Sequence, residues 1–226
     1  MQGNVPQEEK FLPDHQVPML MWHARELIHA ETPLVVAPET AIPLLPFQLP
    51  PGYWDQIAAA FGPGTGRYAL VGVPLGDFET GYTNSVVGLS AEAVQSEQGM
   101  YRYNKHHLVP FGEFIPLGFK WFVAMLNMPM GEFTSGSGPL RPFVVNENAL
   151  ASTVCYEDIF SGEFAGLVAK STQEPTAFVN LSNLAWFGQS WALDQHAQMG
   201  RTRSAEHRKP GLRVTNTGLS GLVDEY

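Results

Sequence analysis

Leu150-Ala151-Ser152-Thr153-Val154-Cys155-Tyr156-Glu157-Asp158 opens as a short apolar strand and delivers a cysteine at its C-terminal end, where the chain turns toward a helix expected over residues 160–170. Strand ends of this kind are where layered α/β folds place reactive groups. Just upstream, residues 143–145 read as a second strand, joined to residues 150–154 through the turn Asn146-Glu147-Asn148. Downstream come a strand over 177–181, a longer helix over 191–207 that ends before Pro210, and a last clear strand over 212–215. The N-terminal half repeats the alternation. A helix over 18–30 leads to a strand over 34–37 that Pro38 stops. A helix over 53–61 sets Trp54, Ile57, Ala58 and Phe61 on one face. Strands over 67–73 and 82–89 flank a Pro/Gly turn region, and a strand over 100–104 puts Tyr101 and Tyr103 on the same side. Helices interleaved with buried strands predict a layered α/β domain, without internal repeats.

At 226 residues the chain suits one domain, taken as residues 1–226, with room for a sizeable core. Its 13 Lys plus Arg against 22 Asp plus Glu leave a net charge of −9. That balance argues against a nucleic-acid backbone or a simple anionic-lipid clamp as the main partner, since both need a basic footprint. Only 15% of residues are charged while 44% are hydrophobic, so a surface that partly meets something greasy is expected. The single cysteine excludes an internal disulfide and a Cys-rich zinc site. No signal peptide is visible, and the longest nearly uncharged run, residues 114–131, is broken by Pro116, Gly118 and Pro129, too soon to cross about 30 Å of hydrocarbon. A soluble-type domain is expected.

Several catalytic devices are absent. No serine sits in G-x-S-x-G, there is no H-E-x-x-H, and the run Gly62-Pro63-Gly64-Thr65-Gly66-Arg67 lacks the Lys-Ser/Thr ending of a phosphate loop. His106 and His107 read as structural or surface residues. No metal and no cofactor is expected. Cys155 remains. A lone cysteine is more often a small buried hydrophobe than a nucleophile, but two other strand ends weigh against that here. Glu39 follows the strand over 34–37 and its Pro38, and Lys105 follows the strand over 100–104, so a carboxylate, an ammonium and a thiol could converge at one sheet edge. Two greasy segments do not fit a compact unit. Residues 41–53 carry Pro43, Pro46, Pro50 and Pro51 among Leu44, Leu45, Phe47 and Leu49, which predicts a stiff apolar loop. Residues 114–131, with Trp121, Phe122, Met125, Leu126 and Met128, read either as a buried helix with flanking turns or as an exposed hydrophobic lid.

Pro38-Glu39-Thr40-Ala41, the run Tyr103-Asn104-Lys105-His106-His107-Leu108-Val109-Pro110-Phe111-Gly112-Glu113, and Val154-Cys155-Tyr156-Glu157 resemble the Glu, Lys and Cys signatures of the nitrilase (carbon–nitrogen hydrolase) superfamily. More narrowly they resemble the catalytic domain of the apolipoprotein N-acyltransferase family. Gln2-Gly3-Asn4-Val5-Pro6-Gln7, Asn183, Ala185-Trp186-Phe187-Gly188, Gln195-His196 and Arg213-Val214-Thr215-Asn216-Thr217-Gly218 extend the likeness from residue 2 to about residue 222. The resemblance implies a four-layer αββα sandwich, truncated at both ends, with Cys155 as nucleophile, Glu39 as general base and Lys105 as oxyanion donor. It gives Glu113, Tyr156 and Glu157 supporting roles. It also implies a phospholipid acyl donor, a diacylglyceryl lipoprotein acceptor, a Cys thioester between them, and a place on the periplasmic face of the bacterial inner membrane. On that reading Leu44, Phe47, Trp121, Phe122 and Met125 form a substrate entrance from the membrane surface, and 114–131 is a lid. The chain departs from the family by lacking the flanking membrane helices and the closing strands, and by carrying Leu184 after Asn183 and Phe11 near an expected Trp. Two other readings use the same residues. One is a soluble amidase with the same Glu-Lys-Cys set. The other is a catalytically silent domain that docks lipid or protein.

Overall fold

A computed structural model describes residues 1–6, 9–10, 12–95, 100–117 and 132–225. In chain order these form α1 (Pro13–His29), β1 (Leu34–Ala37), α2 (Tyr53–Ala59), β2 (Tyr68–Asp77), β3 (Gly81–Leu89), α3 (Ala91–Gln95), β4 (Tyr101–Asn104), β5 (Phe143–Val145), β6 (Asn148–Val154), α4 (Ser161–Ala169), β7 (Ala177–Ser182), α5 (Ala192–His207), β8 (Gly211–Thr215) and β9 (Gly221–Val223). Short 3₁₀ turns occupy Pro46–Gln48, Cys155–Ile159 and Ala185–Phe187.

Two mixed sheets result, ordered β1-β2-β3-β4 and β5-β6-β7-β8-β9. Strand alternation explains why they stack. In the first sheet Val36, Leu70, Val86 and Tyr103 share a cluster with Phe143, Leu150 and Val154 of the second, whereas Val35, Ala37, Ala69, Val71, Val87 and Leu89 join Leu20 and Leu27 of α1 and Ile57 of α2 on the other face. Tyr68 and Tyr101 cross between sheets, their hydroxyls bonding Asn146 and Ser152. On the far side Phe164 of α4 meets Phe178 of β7 edge-on at 4.8 Å. The order is helices, sheet, sheet, helices: the αββα sandwich.

Elements differ from the sequence reading in several places, among them the short helix α3, which was not expected. α1 begins at Pro13, with Pro18 inside it; Pro13 is favoured in the first turn, whereas Pro18 forgoes the bond to the Asp14 carbonyl and crowds it. β2 runs on through Pro74 to Asp77. β1 pairs with it only as far as Val71, so Pro74 keeps its β3 partner Asn84 and faces no ladder on the β1 side. β9, too short to stand out in the sequence, pairs antiparallel with β8. Residues 41–53 hold a 3₁₀ turn, and Ala41, Ile42 and Leu45 are core residues. Leu44 packs on the helix-side cluster, and Phe47 is exposed with its ring edge-on to Phe78 at 5.6 Å. Trp121, Phe122 and Met125 lie outside the described residues.

One close approach fixes the turn after β1. A Cβ on Gly72 of β2 would stand 2.3 Å from the Pro38 carbonyl oxygen and 2.7 Å from Glu39 Cα. Both neighbours are backbone and have no rotamer to yield. Gly72→Ala is therefore expected to destabilise the fold by about 1–3 kcal/mol in urea unfolding and to displace Glu39. Wild-type stability in that variant would mean the turn is freer than it stands here.

Candidate active site

Each of the three expected residues leaves a strand through a tight turn, and the turns meet. Thr40 and Cys155 have left-handed backbones, φ 46° and 54°, and Phe111, between Lys105 and Glu113, has φ 59°. Non-glycine residues adopt this region at a cost, and such strain gathers at functional sites. Cys155 opens a 3₁₀ turn directly after β6, its carbonyl held by Asn180 Nδ2 at 3.0 Å.

Glu39, Lys105 and Cys155 are all buried. Lys105 Nζ lies 3.3 Å from Glu39 Oε1 and 2.9 Å from Glu113 Oε2. Asn84 on β3 donates both amide hydrogens, to Glu39 Oε1 at 2.7 Å and Glu113 Oε1 at 2.6 Å. The other Glu39 oxygen accepts the Asn183 N–H at 2.7 Å, while Glu113 Oε2 takes the Val109 N–H at 2.8 Å. The Cys155 thiol is within hydrogen-bonding reach of Glu39 and in the field of Lys105. The triad read from three distant segments is one cluster, with Glu113 inside it.

Electrostatics then assigns protons. Burial alone would raise the Glu39 carboxyl, but Lys105, the Asn84 and Asn183 hydrogen bonds and Lys10 overcome it and hold the group below the ordinary range. Burial would lower Lys105, yet Glu39, Cys155 and Glu113 raise it well above its usual value. Burial and the adjoining Glu39 charge push the Cys155 thiol far up, against the pull of Lys105. The resting site is thus a thiol, a carboxylate and an ammonium. Chemically, a carboxylate so placed can accept a thiol proton and a buried ammonium can stabilise an oxyanion.

Supporting residues divide by what they touch. Glu157 stands behind the site and ties its two halves. It accepts Tyr103 Oη at 2.9 Å, the His106 N–H at 2.7 Å and the Val154 N–H at 2.7 Å, and burial lifts its carboxyl to about 6. Tyr156 lies edge-on to His107 and Phe160. His106 stacks on Tyr103, and His107 stacks on Phe160 and bonds Glu163, the structural roles expected of that pair. Asn84, Asn180 and Lys10 were missed from sequence. Asn84 carried one signal, an amide in the polar run Thr83-Asn84-Ser85 of a strand whose second half is apolar. Leu184 is fully buried in the inter-sheet cluster. A cavity of about 1080 Å³, lined in part by Gln2, Asn4, Trp191, Leu193 and Thr217, adjoins Ala185 and touches none of Glu39, Lys105 and Cys155. The described residues contain no group of His, Cys, Asp or Glu suited to a metal ion.

The carbon–nitrogen hydrolase family model matches residues 6–226. This chain belongs to the carbon–nitrogen hydrolase family. It is 47% identical over 225 residues to a protein of Verminephrobacter eiseniae named apolipoprotein N-acyltransferase, and 42% identical over 226 residues to one of that name from Ralstonia nicotianae. These alignments take in 99% of this chain but 41% and 42% of those proteins, so the chain spans about two-fifths of the relatives it matches. Among solved structures, a CN-hydrolase superfamily protein from Xanthomonas campestris aligns with TM-score 0.65 at 16% identity, covering 99% of this chain and 80% of that one. An amidase from Nesterenkonia sp. aligns with TM-score 0.61 at 13% identity, covering 92% of this chain and 74% of that one. At such identities the likeness speaks for the fold. No helix among the described residues of this family member is long and apolar enough to cross a membrane.

Near Cys155 in this family member, Arg213 donates to Asp158 Oδ2 at 3.1 Å and contacts His196 Nδ1. Burial, reinforced by Arg213, lowers His196 to about 4; burial likewise takes His23 to about 4, although its bond to the Met19 carbonyl opposes this. Both imidazoles protonate more readily in the unfolded chain, so stability is lost as pH falls from 6.5 through 4. The loss is on the order of 3 kcal/mol per histidine, offset in part by Glu157, whose raised carboxyl favours the folded state as it protonates. Urea midpoints measured from pH 7 to 4 should fall steeply; a flat profile would contradict neutral buried imidazoles.

Proposed function

We propose that the chain is the catalytic domain of an N-acyltransferase that carries an acyl group on Cys155. In the first half, Cys155 Sγ attacks the sn-1 ester carbonyl of a phospholipid as its proton passes to Glu39. The C–O bond breaks, Glu39 returns the proton to the departing alkoxide, and a lysophospholipid leaves a thioester on sulfur. In the second half, the N-terminal amine of a diacylglyceryl-cysteine lipoprotein attacks the thioester. Glu39 takes a proton from the amine, the C–S bond breaks, and the thiol is restored. Lys105, with the backbone N–H of Tyr156, faces the oxyanion in both halves. Glu113 and Asn84 hold Lys105 and Glu39 in register.

The carrying observation is the joining of Cys155, Glu39 and Lys105 in one buried cluster in a chain so similar to proteins named for this transfer. Further support comes from the surface. Exposed Trp186, Phe187 and Trp191 follow closely on Asn183, whose N–H holds the Glu39 carboxylate, and Phe47 is exposed on the loop that leaves Glu39. Such aromatic surface suits acyl chains arriving from a bilayer. Leu44, Trp121, Phe122 and Met125 complete the entrance on this reading, and the enzyme works at the periplasmic face of the bacterial inner membrane.

The test offers the protein phosphatidylethanolamine vesicles with a diacylglyceryl-cysteinyl peptide, and in parallel a set of small amides. Transfer requires lysophospholipid release matched by N-acylated peptide. Amide turnover without lipid transfer would reassign the site to hydrolysis, and neither activity in folded protein would leave a silent domain.

A further inference from the structure

The cluster has a second buried lysine behind it. Lys10 is 2% exposed, and its ammonium bonds the main-chain carbonyl of Glu39 at 3.3 Å and the hydroxyl of Thr40. These are the two residues of the strained turn after β1. The segment that brings Lys10 there is pinned on its own account: Asn4 N–H bonds the Asn216 carbonyl at 2.9 Å, the Asn216 side chain brackets Val5, and the Lys10 N–H bonds the Pro6 carbonyl at 3.2 Å. Asn216 also bonds Asn183, which holds the far oxygen of Glu39. One polar chain thus runs from the N-terminal segment to both sides of the general base.

We infer that Lys10 is a positioning residue that clamps the Glu39–Thr40 turn and, through its charge, keeps Glu39 in the carboxylate form that accepts the thiol proton. The inference rests on Glu39 being the base for Cys155. A buried ammonium is costly unless its surroundings compensate it. Here the compensation is a carbonyl, a hydroxyl and the nearby Glu39 charge, and burial still draws Lys10 down to about 8. The other charged or titratable groups acting on Glu39 are Lys105, Glu113 and Cys155 in the cluster and His196 from α5, while on the α1 side Lys10 and the chain's amino terminus both act on His23. The rest stay in place when Lys10 alone is changed.

The readout is the p-nitrophenolate burst from p-nitrophenyl butyrate, which reports acylation of the single cysteine, followed from pH 4 to 9. Glu39→Gln serves as control and should suppress the burst; an undiminished burst there would remove the base itself, separately from Lys10. With that control in hand, Lys10→Met should move the acid limb up by about one pH unit, roughly tenfold in rate below it. Lys10→Arg should bring the limb back. A merely structural lysine would lower the plateau and leave the limb in place, and that result would overturn the inference. Should Lys10→Met not fold, Lys10→Gln, which keeps a donor toward the Glu39 carbonyl and the Thr40 hydroxyl but drops the charge, carries the test on the same acid limb. A limb coincident with wild type in that variant would overturn the inference equally.

Discussion

Lys105→Met is expected to abolish measurable acylation and, at neutral pH, to cost the fold about 3–5 kcal/mol. The first effect follows from the oxyanion. Loss of one preorganised donor typically slows acyl transfer 100- to 1000-fold, and Lys105 also carries the positive charge that favours sulfur attack. The second follows from burial. Lys105 lies between Glu39 and Glu113 at 3.3 and 2.9 Å, and the same Asn84 amide already bridges the two carboxylates. Without the ammonium, two anions share a dry site and one of them must hold a proton. A carboxyl whose folded value is raised stabilises the fold below its unfolded value and loses that stability as pH rises. Lys105→Met should therefore regain stability relative to the wild type on mild acidification. In the wild type the Glu39 contribution stays complete down to its unfolded value and is lost only in stronger acid, because the folded group is held below the ordinary range. Urea unfolding of both proteins at pH 5 and pH 8 reads the sign: they carry the same buried histidines, so the gap between them should narrow at pH 5. A variant as stable as wild type at pH 8 would mean that the carboxylates do not depend on Lys105.

Glu39→Gln should lower acylation by about 100- to 10,000-fold, the usual contribution of a positioned general base. It should also separate two properties of the thiol. The Glu39 charge raises Cys155 and Lys105 lowers it, so removing the carboxylate lets the thiol ionise at lower pH. Alkylation by iodoacetamide, which needs only the thiolate, should persist or quicken while ester acylation collapses. Equal slowing of both would point to a displaced cysteine instead of a missing base. Some stability is lost as well. One end of the new amide cannot accept, yet the Asn183 N–H and the Asn84 amide approach opposite oxygens of Glu39.

The period of the strands revealed the layering and set Glu39, Lys105 and Cys155 after strand ends, signals weak singly that the resemblance to the family's Glu, Lys and Cys signatures joined into one candidate site. What escaped depends on distances between segments. Asn84 matters because β3 pairs with both β2 and β4, which lays its amide between the turn after β1 and the turn after β4. Lys10 lies in a short polar stretch whose place is set by Asn216, far along the chain. Pro74 suggested a strand end, but the shortness of β1 leaves that side of β2 free. The proline-rich run at 41–53 reads as a stiff apolar loop; Ala41 and Ile42 at its start fill the core beside α1, with Leu44 partly buried against it and Phe47 outside. Residue type marked the candidates, and tertiary register determined which neighbours they meet.

The sharpest test is the intact mass of the protein after incubation with phosphatidylethanolamine vesicles of a single acyl composition, without acceptor. Wild type should gain one acyl group, released by hydroxylamine as a thioester is, and Cys155→Ala should gain none. An unchanged wild-type mass in folded protein, or an adduct that survives Cys155→Ala, would contradict an acyl-enzyme on this cysteine.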